Sequence, residues 1–260
     1  MLRVTRTASS GEAPLWVELE AGLGAGYLQR VESGRVAQPS RETVERILDA
    51  LGARFSERRE IMELFGYHVS APLPSEEDVR WARDVSRAEL DAFPFPAYVL
   101  DCTTRLLSWN GRVPNLFGVS PRDPTLGGLA GELLLVAWFD PYSPAGRLVV
   151  NLETSLLAMI HAFRHERAQF HEEAWCQALI DRLLELPRFQ EYRQRAEQST
   201  PPPTAARALI PLRLSARDAG LLRFRLASEP FTRDARFRVI YYFPDNLPTM
   251  QYYAARRPAT

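Results

Sequence analysis

The chain has 260 residues, of which 46% are apolar, so it can bury enough surface for two ordinary domains. Its 32 basic residues, all of them arginine, balance 32 acidic residues, which excludes binding to nucleic acid or membranes through net charge alone. No apolar run reaches the roughly 18 residues that a membrane-spanning helix needs, and residues 1–14 lack the apolar core of a signal peptide. We therefore expect a cytoplasmic protein that makes no membrane contact.

Residues 13–67 predict a bundle of short helices separated by tight turns. The pattern is clearest in "SRETVERILDALGA", where Ser40 is a natural N-cap and Gly52 ends the helix. Its apolar residues recur at i, i+3, i+4 and i+7, which gives one buried stripe. Pro72 and Pro74 disfavour helix, so the all-α bundle is expected to end near residue 70.

The next segment predicts a longer helix followed by a hairpin. Ser75, with Asp78 three residues on, begins the helix "SEEDVRWARDVSRAELDAF", which is expected to connect two domains. After this helix, the spacing of the apolar residues changes from the helical period to every second residue. "AYVLD" and "RLLSWN" are therefore predicted strands, joined by the polar turn at residues 102–104.

Residues 126–196 are predicted as helical, with residues 147–167 as one of the main pieces. After the break "STPPPTA", three strands are predicted in "ALIPLRL", "LLRFRLA" and "FRVIYYF". Two strands, a helical block and three strands can form one five-stranded antiparallel sheet with helices on one face. The fold class is then α+β, and the space between sheet and helices is the natural ligand site.

The stretch "GAGYLQRVESGR" has the outline of a helix-turn-helix motif, whose second helix enters the major groove of DNA. The turn at residues 24–26 lacks bulk, so the following helix can approach DNA, and its free N–H groups favour an anion. Gln29 can read adenine and Arg30 guanine, while Arg35 and Ser40 can contact phosphate. The alternative is a tight helical corner in which Arg30 pairs with a neighbouring carboxylate. The candidate DNA-contacting residues are Gly24, Ala25, Gly26, Gln29, Arg30, Arg35 and Ser40.

Two stretches resemble known families. Residues 21–51, "AGLGAGYLQRVESGRVAQPSRETVERILDAL", resemble the DNA-binding domain of the XRE family. "LDAFPFPAYVLDCTTRLLSWNGRVPNLFG", then "FDP" at 139–141 and "NL" at 151–152, resemble the MmyB-like ligand-binding domain, also called MltR-type, which follows this helix-turn-helix in many bacterial regulators. The resemblance implies a PAS-like sensor domain and an apolar ligand such as a fatty acid.

The start of the chain departs from the XRE pattern. Only nine residues precede "SGEAP", where the family has a full helix, so the first helix is expected to be shortened or missing. Glu18 stands where the family packs a small residue, and Pro14 where a phosphate-contacting Gln is common. Arginines and acidic residues nearly balance within residues 1–70, so DNA affinity would depend on few contacts and on dimerisation.

Aromatic and polar residues near the MmyB-like motifs are candidates for ligand binding. The apolar candidates, which can alternatively be ordinary core residues, are Trp109, Leu134, Trp138, Phe139, Met159 and Phe163. A carboxylate in an apolar pocket needs hydrogen-bond donors, since an unpaired buried charge is costly. Asn110, Arg147 and Asn151 are the candidate donors, although Asn110 can also cap a helix and Arg147 can be a surface residue.

The sequence gives little support for a disulfide scaffold, a metal site or a catalytic site. Cys102 and Cys176 form no C-x-x-C motif, which fits a reducing compartment without a disulfide scaffold. His161 and His165 stand four residues apart, with His171 beyond, but no second cluster supplies further metal ligands, so solvated or capped histidines are the favoured interpretation. Because motifs such as G-x-S-x-G and H-E-x-x-H are also missing, we expect no metal, no cofactor and no enzymatic activity.

These patterns predict a helix-turn-helix DNA-binding domain in residues 1–70, a connecting helix in 71–92 and a sheet-containing domain in 93–250, which the resemblance implies is PAS-like. The expected protein is a dimeric transcription regulator that binds a double-stranded DNA operator and senses a small apolar ligand. The alternative is a lipid-binding or PAS-type protein-interaction module whose helix-turn-helix no longer binds DNA.

Overall fold

The computed structural model describes residues 13–53, 55–67, 69–117, 131–199, 209–216 and 220–255. The chain divides into two compact units, residues 1–71 and 72–260. No helix within the described ranges is both long and apolar enough to cross a membrane. Residues 1–12, on which the expectation of a shortened first helix rests, lie outside the described part of the chain.

Within its described residues, the first unit contains four helices, which confirms the predicted bundle of short helices. They are α1 (Ala13–Glu20), α2 (Tyr27–Glu32), α3 (Arg41–Ala50) and α4 (Phe55–Leu64). The predicted N-cap of α3 is confirmed, because the Ser40 hydroxyl accepts a hydrogen bond from the Thr43 N–H at 3.3 Å. Ile47 of α3 is buried against α1, while Val44 and Leu48 are buried against Met62 of α4. The apolar stripe of α3 therefore joins both sides of this small core.

The second unit contains the sheet and the remaining helices. In chain order the elements are α5 (Glu76–Ala92), β1 (Ala97–Asp101), β2 (Leu106–Trp109), α6 (Pro114–Phe117), α7 (Leu134–Phe139), α8 (Pro144–Leu148), α9 (Leu152–Arg167), a 3-10 turn (Ala168–Phe170), α10 (Ala174–Leu184), α11 (Pro187–Gln198), β3 (Ile210–Ala216), β4 (Gly220–Pro230), β5 (Phe237–Pro244) and α12 (Leu247–Ala254). Both Ser75 and Asp78 bond the backbone at the start of α5, which confirms the predicted capping box.

The five strands form one antiparallel sheet in the order β2-β1-β5-β4-β3. The last strand thus pairs with the first, with Val99 of β1 opposite Val239 of β5. This pairing joins the early hairpin and the late strands into the single α+β sheet that the sequence predicts. Within β4, Leu222 and Phe224 are buried while Arg223 is exposed, which is the alternation of a strand with one buried face.

Both faces of the sheet are covered near β5. One face, which includes Ile240 and Tyr242, packs against helices α7, α9, α10 and α11 and forms the larger core. The other face, which includes Phe237 and Val239, packs against Val79, Ala82 and Leu90 of α5. The helix predicted as a connection is therefore an integral part of the second unit.

The predicted helical piece at residues 147–167 is interrupted in the structure. Helix α8 ends at Leu148, and Val149 forms an antiparallel bridge with Leu214 of β3. The Val150 N–H donates to the Arg213 carbonyl at 2.8 Å. The prediction was wrong here because a backbone pairing with a strand some 60 residues later, which local periodicity does not reveal, replaces the helical hydrogen bonds.

Candidate functional site

The backbone conformation of the first unit explains why glycines lie at both ends of α2. Gly26, at the N-cap position of α2, has φ of 76°, in the left-handed region that favours glycine. Gly34, just beyond the end of α2, has φ of 74°. These two glycines flank the short helix that carries Gln29 and Arg30.

A buried carboxylate occupies the start of α2. Glu18 of α1 is 4% exposed, and its two oxygens accept hydrogen bonds from the N–H groups of Gly26 at 2.8 Å and of Leu28 at 2.7 Å. These bonds compensate the burial of the charge. The N–H groups at this turn do bind an anion, as expected, but the anion is the chain's own carboxylate, so these two groups are not free for a DNA phosphate. Sequence reasoning noted Glu18 as unusual but did not find its partners, which are eight and ten residues away.

Most of the predicted DNA-contacting residues lie at the surface of the first unit. The exposed residues are Gly24, Ala25, Gln29, Arg30, Arg35 and Ser40, while Gly26 is half-buried. The Arg30 guanidinium lies over the Tyr27 ring of the same helix, 5.4 Å from its centroid, and no carboxylate pairs with it among the described residues. Gln29 and Arg30 thus present polar groups on the solvent side of α2.

The second unit has an apolar cavity of about 80 Å³, partly open to solvent, between the sheet and the helices, which we term the inner cavity. This is the space in which the sequence predicts a ligand site. Most of its wall comes from α7, α9 and the strands β1, β4 and β5. The lining residues are Tyr98, Leu100, Thr104, Leu134, Leu135, Trp138, Met159, Ala162, Phe163, Glu166, Ile210, Leu226, Ala227, Ser228, Arg238 and Ile240.

Arg238 of β5 provides a buried positive charge in this apolar wall. Its side chain forms an ion pair with Glu166 of α9, and Arg238 is 6% exposed. Its Nε has no hydrogen-bond partner among the described residues. Burial lowers the pKa of Arg238 to about 10, so the guanidinium is protonated at neutral pH. The inner cavity therefore contains a cation whose hydrogen-bonding capacity is only partly used.

Two tyrosines add neutral polar groups beside the cavity. The hydroxyls of Tyr98 and Tyr242 lie 3.4 Å apart, and both side chains are buried. Burial raises the pKa of Tyr98 and of Tyr242 above the usual value, so both hydroxyls stay protonated. Tyr98 also lines the cavity, which places a hydroxyl-bearing side chain in its wall.

The structure brings some of the predicted apolar residues together. Trp138 and Met159 line the inner cavity, as do Leu134 and Phe163. Phe139 is fully buried away from the lining, with its ring 5.1 Å from that of Phe189. Trp109 is half-buried against the same core but does not line the cavity.

The predicted polar residues lie away from the inner cavity. The Asn110 amide is saturated by backbone, donating to the carbonyls of Leu90, Phe93 and Phe95 and accepting from the N–H of Ala97. Asn151 joins the start of α9 to β3 by donating to the Pro211 carbonyl at 3.1 Å and accepting from the Arg213 N–H at 2.7 Å. Arg147 is exposed.

The cation at the cavity, Arg238, is a residue that sequence reasoning missed. In "FRVIYYF", alternation places Arg238 on the same face as Ile240 and Tyr242, opposite Phe237 and Val239. Because the opposite face of this strand is also apolar, the sequence alone does not show that the face of Arg238 borders the cavity.

The histidines and cysteines form no metal centre within the described segments. His161 Nε2 lies 3.1 Å from the Ser199 hydroxyl, and His171 Nδ1 lies 2.9 Å from the Ala168 carbonyl. No group of three or more potential ligands that could hold a metal ion occurs among the residues described. Cys102 and Cys176 are buried free thiols.

Comparison with known proteins identifies the family of the second unit. Residues 82–251 match the family described as the MmyB-like transcription regulator ligand binding domain. No curated protein matches the chain. The matched region is more than half of the 260 residues and includes every strand of the sheet and every residue that lines the inner cavity. The chain therefore belongs to the MmyB-like transcription regulators, and its second unit is the ligand-binding domain of a ligand-sensing regulator.

Proposed function

We propose that the protein is a DNA-binding transcription regulator whose second unit senses a small apolar acid, such as a fatty acid. The observation that carries the ligand proposal is the inner cavity, whose wall is apolar except for a few groups that include the buried Arg238. Apolar walls favour an alkyl chain, at about 0.8 kcal/mol for each buried CH₂ group. A buried guanidinium favours a carboxylate, because charge-assisted hydrogen bonds are strong where water is excluded.

The size of the inner cavity indicates how the ligand would act. Its volume of about 80 Å³ is below the roughly 300–1,000 Å³ of typical ligand sites. A long alkyl chain would therefore be buried completely only if α7 or α9 moved relative to the sheet as it enters. Since Glu166 on α9 pairs with Arg238, a ligand carboxylate would compete with Glu166 for the same guanidinium. Ligand binding would then shift the position of α9, which supplies a conformational response.

DNA binding is supported by the first unit. Gln29 and Arg30 are exposed on α2, which follows a turn that begins after α1. Both side chains have the donor groups that read base edges in the major groove. The near balance of charge in residues 1–70 leaves few phosphate contacts, so two copies would act together on an operator with two half-sites.

Glu18 favours a second candidate function. Its carboxylate occupies two N–H groups at the start of α2 that could otherwise approach a phosphate. A helix-turn-helix altered in this way could have lost DNA binding, which would leave a lipid-binding or PAS-type protein-interaction module. The inner cavity would serve that module equally well.

A salt-dependent gel shift separates the two candidates. The full chain is mixed with the DNA upstream of its own gene at increasing salt, with and without decanoate. A specific complex that weakens with salt, and that decanoate alters, is expected for the regulator. Binding no tighter than to scrambled DNA of the same length would exclude regulation through this DNA and favour the module.

A further inference from the structure

The second unit has another cavity, of about 350 Å³, on the opposite face of the sheet from the inner cavity. We term it the α5 cavity, because Trp81, Val85 and Glu89 of that helix form one of its walls. These residues are four apart and share one side of the helix. The facing surface includes Val239 and Tyr241 of β5. Its volume falls within the range of about 300–1,000 Å³ that is common for small-molecule sites.

Aromatic rings and carboxylates line the α5 cavity together. The rings belong to Trp81, Phe231 and Tyr241, and the carboxylates to Glu89 of α5 and Glu229 of β4. The centroids of the Trp81 and Phe231 rings lie 6.1 Å apart in an edge-to-face arrangement. The carboxylates therefore come from two different elements beside an aromatic wall.

Both carboxylates affect the Tyr241 hydroxyl electrostatically. The Tyr241 hydroxyl donates a hydrogen bond to Glu89. Burial, this hydrogen bond, and the negative charges of Glu89 and Glu229 together raise the pKa of Tyr241 above its usual value. The region around the Tyr241 hydroxyl is thus negative as well as partly apolar, which is an environment that favours a positive charge.

We propose that the α5 cavity binds an organic cation, namely an ammonium or quaternary ammonium group attached to an apolar body. The ring faces would attract the cation through their quadrupoles, and the carboxylates would pair with its charge. A metal ion fits less well, since the described residues contain no group of three or more potential metal ligands. An anion is disfavoured because Arg233, which is exposed, is the single basic residue among the described lining residues.

Titration of the full chain with phenethylammonium, and with 2-phenylethanol as its neutral analogue, tests this proposal by calorimetry. Saturable binding of the cation is expected, at least about tenfold tighter than binding of the alcohol. The Glu89→Gln and Glu229→Gln variants should each weaken cation binding by about fivefold. Arg233→Ala should strengthen it, because it removes a competing positive charge. Glu185→Gln, an exposed carboxylate at the end of α10, is the matched control and should leave binding unchanged.

Three outcomes would overturn the assignment. These are the lack of saturable cation binding, equal affinity for the alcohol, and unchanged affinity in the Glu229→Gln variant. Thermal unfolding of each variant shows whether it is folded. Glu89 also accepts a hydrogen bond from Tyr241, so the Glu89→Gln variant can be destabilised. If its unfolding midpoint is lowered, the cation affinity of the Glu229→Gln variant alone tests the role of the carboxylates.

Discussion

Glu166 on α9 and Arg238 on β5 form an ion pair across the layer between helices and sheet, at the wall of the inner cavity. The pair places a carboxylate of the protein where the proposed ligand would place its own. Glu166 is 28% exposed at its side chain, whereas Arg238 is almost fully buried. Separation of the pair therefore costs more free energy at Arg238 than at Glu166, because the Glu166 carboxylate can turn toward water and the Arg238 guanidinium cannot.

The Glu166→Gln variant tests this competition. Removing the negative charge should raise the affinity for decanoate by about tenfold, because the ligand no longer displaces a carboxylate from Arg238. The unliganded variant should lose about 1–3 kcal/mol of unfolding free energy, since a buried cation loses its partner. Calorimetry and urea unfolding measure the two effects. Weaker decanoate binding in a folded variant would mean that Glu166 assists the ligand instead of competing with it.

Gln29→Ala and Arg30→Ala should each weaken binding to a selected operator by about 1–3 kcal/mol, because base-reading side chains carry the sequence discrimination. Both side chains are exposed, so neither variant should change the circular dichroism of the protein. Arg59→Ala on α4, where Arg59 pairs with Glu63 at 2.7 Å, is a control that removes an arginine elsewhere in the same unit. If both α2 variants bind like the wild type, the recognition helix has been misassigned.

Glu18→Ala should lower the unfolding free energy of the first unit by about 1–2 kcal/mol. The substitution leaves the N–H groups of Gly26 and Leu28 without their carboxylate, which is comparable to the loss of a helix cap. Hydrogen exchange at these two amides in the full chain gives the local effect directly. Protection equal to that of the wild type would show that Glu18 does not hold the start of α2 in solution.

The protein should bind its operator as a dimer, with half-sites about one helical turn apart. The motivation is the near balance of arginines and acidic residues in residues 1–70, which leaves a single copy with few phosphate contacts. Light scattering of the purified complex gives the number of chains per operator. A complex with one chain would contradict this expectation.

Local patterns predicted the architecture well where a helix or strand has one buried side. Val44, Ile47 and Leu48 recur at the helical period, and the structure buries all three. Leu222 and Phe224 alternate with arginine in β4, which has one exposed face in this part. Such elements show their buried side in the sequence, because the exposed side is polar.

The features that sequence reasoning missed depend on distant contacts. β5 is buried on both faces along most of its length, because α5 covers one face and the larger core the other. Alternation along "FRVIYYF" therefore did not show which face borders the cavity, and Arg238 was overlooked. Similarly, the break after Leu148 arises from pairing with β3, and the role of Glu18 arises from packing of α1 against the start of α2.

The most direct test of the proposed function is calorimetric titration of the full chain with decanoate and with its methyl ester, for the wild type and the Arg238→Gln variant. The acid should bind the wild type at least about tenfold more tightly than the ester, because only the acid can pair with the buried guanidinium of Arg238. The variant should bind the two compounds about equally, with ester affinity close to that of the wild type. Equal binding of acid and ester to the wild type, or no binding of either, would contradict the proposal.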